Sequence, residues 1–400
     1  MAGQGFTRSE WKKIWEKLES DPARYGLPDR VYGSVVLASF NIRKLGSAVS
    51  RNKDTWEFLA AVCRRFDLLA VQEIQDELSG LRVLRGMMGP EFDMIVSDKT
   101  GVFPGEPGVG ERLGFIFNSS IVHRTEIATD ISYDRSKVLG TISLHNDEIH
   151  AAMAPYAKKL RNYLVKMQEF DLGTRPTKPK KPKFKVKMPT FLTFIRSPFC
   201  VSFEVRGHPG SKSYQFMAVN AHLYFGEYMS DRRQEFDALM EWIIARLKEK
   251  DKAYYPNFIL LGDLNLDFNK PETDRGRIEK HLKGFDAQFG DEAYVNLPFL
   301  DPHPARNDVF RTNARLNQTF DQIGLFFRDT RFPTHRDNAN MGRDERGPDY
   351  GVFDFVNLFS ESLNNKPIAA LSRNAKEKFY ARFEHKLSDH MPLWLRLPLP

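Results

Sequence analysis

Cysteine is almost missing from this chain: there are two, Cys63 and Cys200, in 400 residues. Both stand among apolar neighbours. That excludes a disulfide framework and a thiolate metal centre, and it fits a reducing compartment. Long apolar runs are missing too. None reaches the roughly 20 residues that a bilayer demands. The opening MAGQGFTRSEWKK has no apolar segment of the signal-peptide kind, so a cytoplasmic location with no membrane partner is expected. The glycine-rich loop from Gly101 to Gly110 lacks Gly-Lys-Ser/Thr and precedes a strand rather than a helix, which argues against a phosphate-cradling P-loop. A mobile surface loop is expected there. No internal repeat is visible.

Core material, by contrast, is plentiful. Hydrophobic residues make up 41% and aromatics 12%, enough for one large α/β domain or two smaller ones. The net charge of +7 is a mild basic excess. It suits a polyanionic partner and equally suits a soluble basic protein.

The stretch from Asn257 to Phe268, NFILLGDLNLDF, is the most informative. Phe258 to Leu261 read as a buried strand that stops at Gly262-Asp263-Leu264-Asn265. Glycine permits a sharp turn or a close backbone approach. Asp263 and Asn265 are two apart and share a face if the segment is extended. They could grip a phosphate, a metal or a water, or they could form an Asx turn after a strand. Asp263, Asn265, Asp267 and Asn269 also imitate the start of a calcium-binding EF-hand loop. Position six is then Phe268 and position twelve Asp274, where that loop needs Gly and Glu, so it is rejected.

A strand–helix–strand rhythm precedes this stretch. Residues 7–20 read as a helix with a Thr7/Glu10 capping box and an apolar face of Trp11, Ile14, Trp15 and Leu18. Residues 21–30 read as a linker. Strands are expected at 34–40, 67–71, 92–97, 114–117, 199–205, 214–220 and 318–327, and helices at about 54–66, 78–88, 156–170 and 231–249. Residues 175–187, with seven lysines or arginines among three prolines, are expected to form an extended, exposed arm. Such an arm suits contact with a phosphate backbone as well as a solvated loop. Residues 328–350 are polar and read as a loop, and a last strand follows Leu387 to Trp394.

Several of these strands end in or carry a polar residue: Asn41, Glu73, His222, Asp263 with Asn265, Asp321, and Asp389 with His390. Singly each is ordinary. Together they suggest one site along the edge of packed sheets. Glu73, Asp389 and the Asn41 amide are oxygen donors that suit Mg²⁺ or Mn²⁺ better than Zn²⁺. Two histidines with carboxylate partners can serve as base and acid. The set fits metal-assisted hydrolysis of a phosphate ester.

Six ordered segments carry a family resemblance: FNIRKLG (40–46), LLAVQEI (68–74), VNAHL (219–223), ILLGDLNLD (259–267), TFDQIG (319–324) and LSDHMPL (387–393). Over residues 34–397 the chain resembles the endonuclease/exonuclease/phosphatase superfamily. Within it, FNIR, ERLGFIF (111–117) and Arg196 in IRSPFCVSF (195–203) are similar to the deoxyribonuclease I-like branch. The resemblance implies an α/β four-layer sandwich of two mostly antiparallel β-sheets flanked by helices. Residues 1–30 are then an N-terminal helix and linker. Residues 31–400 are the catalytic domain, with an inserted helix and basic arm at about 141–190.

The resemblance also implies roles. Glu73 is the central metal ligand, assisted by Asn41 and Asp389. His222 is paired with Glu111, and His390 with Asp321. Asp263 and Asn265 position the nucleophile and the scissile phosphate. Arg196, Asn265 and Arg43 contact phosphate. The implied activity is a Mg²⁺-dependent endonuclease, with Mn²⁺ as a substitute, that cleaves DNA in preference to RNA by in-line attack of water. Two alternatives stay open: a phosphatase or phosphodiesterase acting on a small phosphate ester or lipid head group, and a catalytically silent binding module. An abasic-site nuclease fits less well, because FNIRKLG lacks the WNxNG form. The chain departs from the branch at Gln75 and Val109, where deoxyribonuclease I places its groove-binding arginine and tyrosine. It also lacks the structural disulfides and has a longer segment between Tyr133 and Arg196.

Overall fold

The computed structural model describes residues 5–101, 110–226, 228–249, 255–268, 274–307 and 309–400. Val109, Asn269 and most of the Gly101–Gly110 loop lie outside the described residues. The elements in chain order are α1 (Arg8–Ser20), β1 (Ser34–Leu45), α2 (Lys53–Cys63), β2 (Leu68–Ile74), α3 (Ser79–Met88), β3 (Phe92–Val96), β4 (Arg112–Asn118), β5 (Val122–Asp130), α4 (Arg135–Leu144) and α5 (Asn146–Asp171). They continue with β6 (Phe199–Val205), β7 (Tyr214–His222), α6 (Met229–Lys248), β8 (Asn257–Asp263), α7 (Gly276–Phe289), β9 (Tyr294–Asn296), β10 (Asp321–Phe327), β11 (Asp349–Val352), α8 (Phe355–Asn364), α9 (Arg373–Lys386) and β12 (Leu393–Pro398).

Among the described residues the strands form two six-stranded sheets, in the orders β11-β12-β1-β2-β4-β3 and β5-β6-β7-β8-β10-β9. Each sheet has one parallel pair at its centre, β1 with β2 and β7 with β8, and is otherwise antiparallel. The two sheets thus share one pattern of pairing although the sequence has no visible repeat. Helices cover both outer faces, which gives the expected four-layer sandwich.

The period of two along each strand builds these layers. In β8, Ile259 and Leu261 join the core between the sheets, whereas Phe258 and Leu260 pack under α6 and α7. In β7, Phe216 and Ala218 face inward while Met217 and Val219 face the helices. In β10, Ile323 and Leu325 face inward and Phe326 outward. Phe115 and Phe203, with ring centroids 5.4 Å apart edge to face, join the sheets across this core.

Several expectations are corrected. Residues 21–30 are not a free linker. Tyr25 and Leu27 are buried, and Trp394 Nε1 donates to Gly26 O at 2.8 Å. Helix α1 belongs to the main core through Trp11, whose ring lies 5.6 Å from those of Phe58 and Phe359. The inserted helix starts well before 156, because α5 runs through Pro155 and α4 precedes it. The basic arm is extended but not wholly exposed. Lysine alternates with apolar residues over 183–187, so Phe184 packs on Tyr156 at 4.8 Å and Val186 is buried, while the lysines face water. Residues 328–350 are not loop throughout, since they contain a 3-10 turn at His335–Asn340 and the start of β11. No helix among the described residues is long and apolar enough to cross a membrane.

Candidate active site

The inward rows of three strands end in polar residues. Tyr214, Phe216, Ala218, Asn220 and His222 form the row of β7, and Ile259, Leu261 and Asp263 that of β8. Asp321 begins the row of β10 that continues with Ile323 and Leu325. Register then places His222 beside Asp263, and Asp321 on the other side of Asp263. From the facing sheet, Asn41, where the regular pairing of β1 with β2 breaks off, reaches across, and its Nδ2 donates to Asp263 Oδ2 at 3.1 Å. The site is thus the point where apolar alternation gives way to polar groups at the carboxyl ends of both parallel pairs.

Each histidine is held by a carboxylate. His222 Nδ1 is 2.8 Å from Glu111 Oε2, and His390 Nδ1 is 2.8 Å from Asp321 Oδ2. With Nδ1 fixed, Nε2 is turned into the site. Both Nε2 atoms converge on Asp263 Oδ2, at 3.5 Å from His222 and 3.4 Å from His390. Glu111 is itself fixed by paired backbone hydrogen bonds with Thr100, at 3.0 and 2.9 Å, across the base of the glycine-rich loop.

Charge is shared unequally. Burial works to raise the Glu111 carboxyl, but His222 and Arg196 outweigh it and hold the group below the usual carboxylate range. Burial likewise opposes ionisation of Asp263. His390 and His222, with the Asn265 N–H and the Asn41 amide, hold it low nonetheless. Asp321 is raised, by burial first, with His390 opposing and Asp263 adding to the effect. Burial disfavours a charge on His390, yet Asp321 and Asp263 carry it well above the ordinary imidazole value.

The Gly-Asp-Leu-Asn segment forms the Asx turn that its sequence allows. Asp263 Oδ1 accepts the Asn265 N–H at 2.9 Å, an Asx turn, while Oδ2 faces the histidines. Asn265 has φ of 52° and donates from Nδ2 to Leu223 O at 2.8 Å. Gly262, with φ of 150°, lies so close to β7 that a Cβ there would stand 1.9 Å from Ala221 O.

Glu73 and Lys44 also have left-handed backbones, with φ of 59° and 48°, where a bulge interrupts the ladder between β1 and β2. Glu73 is half-buried and accepts the Lys44 N–H at 2.9 Å. Asp389 pairs with Arg43 through Oδ2 at 3.3 Å. Asn41 Oδ1 and Asp389 Oδ1 are both buried acceptors without a protein donor. Two buried, unpartnered oxygens and a half-buried carboxylate are the donor types that suit a hard divalent cation, so the residues present fit the implied metal. Among the described residues a tighter set is Asp263, Asp321 and His390, with ligand atoms within 4.8 Å of one another. Their mutual contacts are those of the His390 relay.

Arg196 is 7% exposed and turned inward. Its Nη1 donates to His222 O and Leu223 O at 3.3 and 3.1 Å, and its Nη2 lies 3.4 Å from Glu111 Oε1. In this conformation it supports the Glu111–His222 pair.

Some contributors went unread in the sequence. Ser388 Oγ donates to Asn41 O at 2.6 Å and accepts from Arg43 N and His390 N, both at 3.2 Å, tying three site segments together. Gln72 Nε2 donates to Asn220 Oδ1 at 2.7 Å, and Asn220 Nδ2 donates to Val71 O and Gly114 O at 3.0 and 2.8 Å. This buried amide pair locks the sheets together just beneath the site. Its signal was in plain view: an amide inside each of two apolar runs, LLAVQEI and AVNAHL.

The chain matches no model of a protein family and no curated protein. Solved structures to which it is similar include endonuclease/exonuclease/phosphatase family proteins. One such protein from Bacteroides thetaiotaomicron is 13% identical over 91% of this chain and 97% of its own, with a TM-score of 0.41. A mannosyl-6-phosphatase from the same organism is also 13% identical, over 90% and 98%, with a TM-score of 0.41. The human Nocturnin catalytic domain with bound sulfate is 10% identical over 93% and 97%, with a TM-score of 0.44.

Proposed function

We propose that this chain is a metal-dependent phosphodiesterase that cleaves nucleic acid, DNA in preference to RNA, as an endonuclease. One observation carries the reading: two imidazoles, each oriented through Nδ1 by a buried carboxylate, direct Nε2 at a single carboxylate, Asp263. A lone histidine–carboxylate pair serves many chemistries. Two pairs converging on one point suit a reaction that removes a proton on one side and supplies one on the other, as hydrolysis of a phosphate diester does.

In this reading, water attacks phosphorus in line with the departing oxygen. One relay takes the water's proton, and the other gives a proton to the leaving oxygen. Asp263 lies between them and orients both rings. Asn41 and Asn265 fix Asp263 and align the phosphate, Arg43 balances charge beside it, and Arg196 keeps Glu111 in place. Glu73, Asn41 and Asp389 would hold Mg²⁺ or Mn²⁺, which supplies positive charge to the phosphoryl oxygens when bound. The mild basic excess and the lysine arm favour a polyanionic substrate over a small ester.

The test is a substrate panel with Mg²⁺: single-stranded DNA, duplex DNA, RNA and small phosphate monoesters. Internal cleavage of DNA is expected. Release of phosphate from monoesters with DNA left intact would transfer the function to the phosphatase reading.

A further inference from the structure

β5 and β6 are antiparallel neighbours that a short turn could join, yet residues 131–198 stand between them. This inserted segment encloses a cavity of about 390 Å³, sufficient for a small ligand. Its lining includes Met153 of α5, Phe184 and Val186 of the arm, Leu192, and Tyr224 and Tyr228 from the loop after β7. Lys183 and Lys185 also line it, and both are exposed. Asp231 adds a carboxylate acceptor.

The cavity lining is continuous in the chain with segments of the candidate active site, and Arg196 Nη1 donates to Leu223 O, next to Tyr224, at 3.1 Å. Tyr224 follows His222 by two residues, and Ile195, another lining residue, immediately precedes Arg196. Glu235 fastens both, accepting the Ile195 N–H at 2.7 Å and the Tyr224 N–H at 2.8 Å. The cavity lining is thereby tied to the segments that carry His222 and Arg196.

We propose that this cavity takes one unpaired nucleobase of the substrate strand, flanking the scissile phosphate. The inference rests on the phosphodiesterase reading above and narrows its substrate class to nucleic acid with at least one base out of the duplex. Three features select this occupant. The lining is aromatic and apolar, which suits a planar base face. A carboxylate is available for a base N–H. The lysines beside it are placed for the phosphates on either side, because alternation along 183–187 turns the apolar residues inward and the ammonium groups outward. A base that remains paired cannot enter.

The test compares binding of two fluorescein-labelled oligomers of equal charge to the full chain, in EDTA to stop cleavage. One is oligothymidylate, and the other carries abasic tetrahydrofuran units in place of nucleosides. The wild type is expected to bind oligothymidylate roughly ten-fold or more tightly than the abasic oligomer. Met153→Trp and Leu192→Trp, which fill the cavity from two different segments, are each expected to erase that preference. Equal affinities in the wild type, or a preference that survives in a correctly folded filling variant, would overturn the proposal. Hydrolysis of bis(4-nitrophenyl) phosphate by the wild type, with Mg²⁺, reports the chemistry separately. Base preference without that hydrolysis leaves the cavity assignment standing and removes the catalytic reading; hydrolysis without base preference does the reverse.

Discussion

At Glu235 a carboxylate is enclosed by protein, with two backbone N–H groups donating to it. Burial pushes its pKa up to about 7, and the two N–H groups and Arg196 offset only part of that. Its value in the unfolded chain is near 4.5. The native state therefore holds this proton more tightly than the unfolded state does. Its contribution to stability is greatest below pH 4.5, declines as pH rises towards 7, and is level above that. The span corresponds to about 3 kcal/mol. Glu235→Gln is expected to show a flatter profile of denaturant midpoint between pH 5 and 7, and parallel profiles would contradict the assignment. In sequence, Glu235 is one more charge beside the apolar stripe of α6. Its enclosure depends on two distant segments, the end of the insertion at Ile195 and the loop after β7 at Tyr224. The candidate site was more legible, because most of its residues stand in or at an end of an apolar strand run. The inward turn of Arg196 was not, since it depends on Glu111 arriving from another sheet.

Among elements, β7 and β8 approach closely at Gly262. Gly262 was legible as a glycine that admits a turn or a close approach, and both prove true: it has a left-handed backbone and lies against Ala221 O. Gly262→Ala is expected to destabilise the fold by about 2 kcal/mol or more through backbone strain and the clash with β7, read from chemical denaturation. An unchanged midpoint would mean that the strands separate freely, contrary to the register that sets His222 beside Asp263. Other elements were read incompletely. β5, VHRTEIATD, is an edge strand with few apolar residues, so its alternation is faint. Helix α7 was missed although Ile278, Leu282, Phe285 and Phe289 have helical spacing, a signal that could have found it. The helix expected at 156–170 begins earlier in the structure, and α4 before it has no buried residue and so no apolar stripe to read.

For the whole molecule, the decisive feature is that two sheets of the same pairing pattern meet with their polar ends together. Aromatic contacts such as Phe115 with Phe203 join them in the interior, and the Gln72–Asn220 amide pair joins them under the site. Sequence exposed the ends of the strands but not this partnership, since pairing between distant strands leaves no local periodicity. The arm projects its charge from the second sheet. Replacing Lys178, Lys180 and Lys181, which lie outside the cavity, with glutamine is expected to reduce the slope of log affinity against log salt by roughly two to three for DNA. An unchanged slope would remove the arm from the interface.

The most direct test of the central claim is nicking of supercoiled plasmid by the purified protein. The converging histidine relays predict relaxation with Mg²⁺, none in EDTA, and a loss of at least about 100-fold in His222→Ala. Nicking that persists in His222→Ala at the wild-type rate, or that is indifferent to EDTA, would contradict the account.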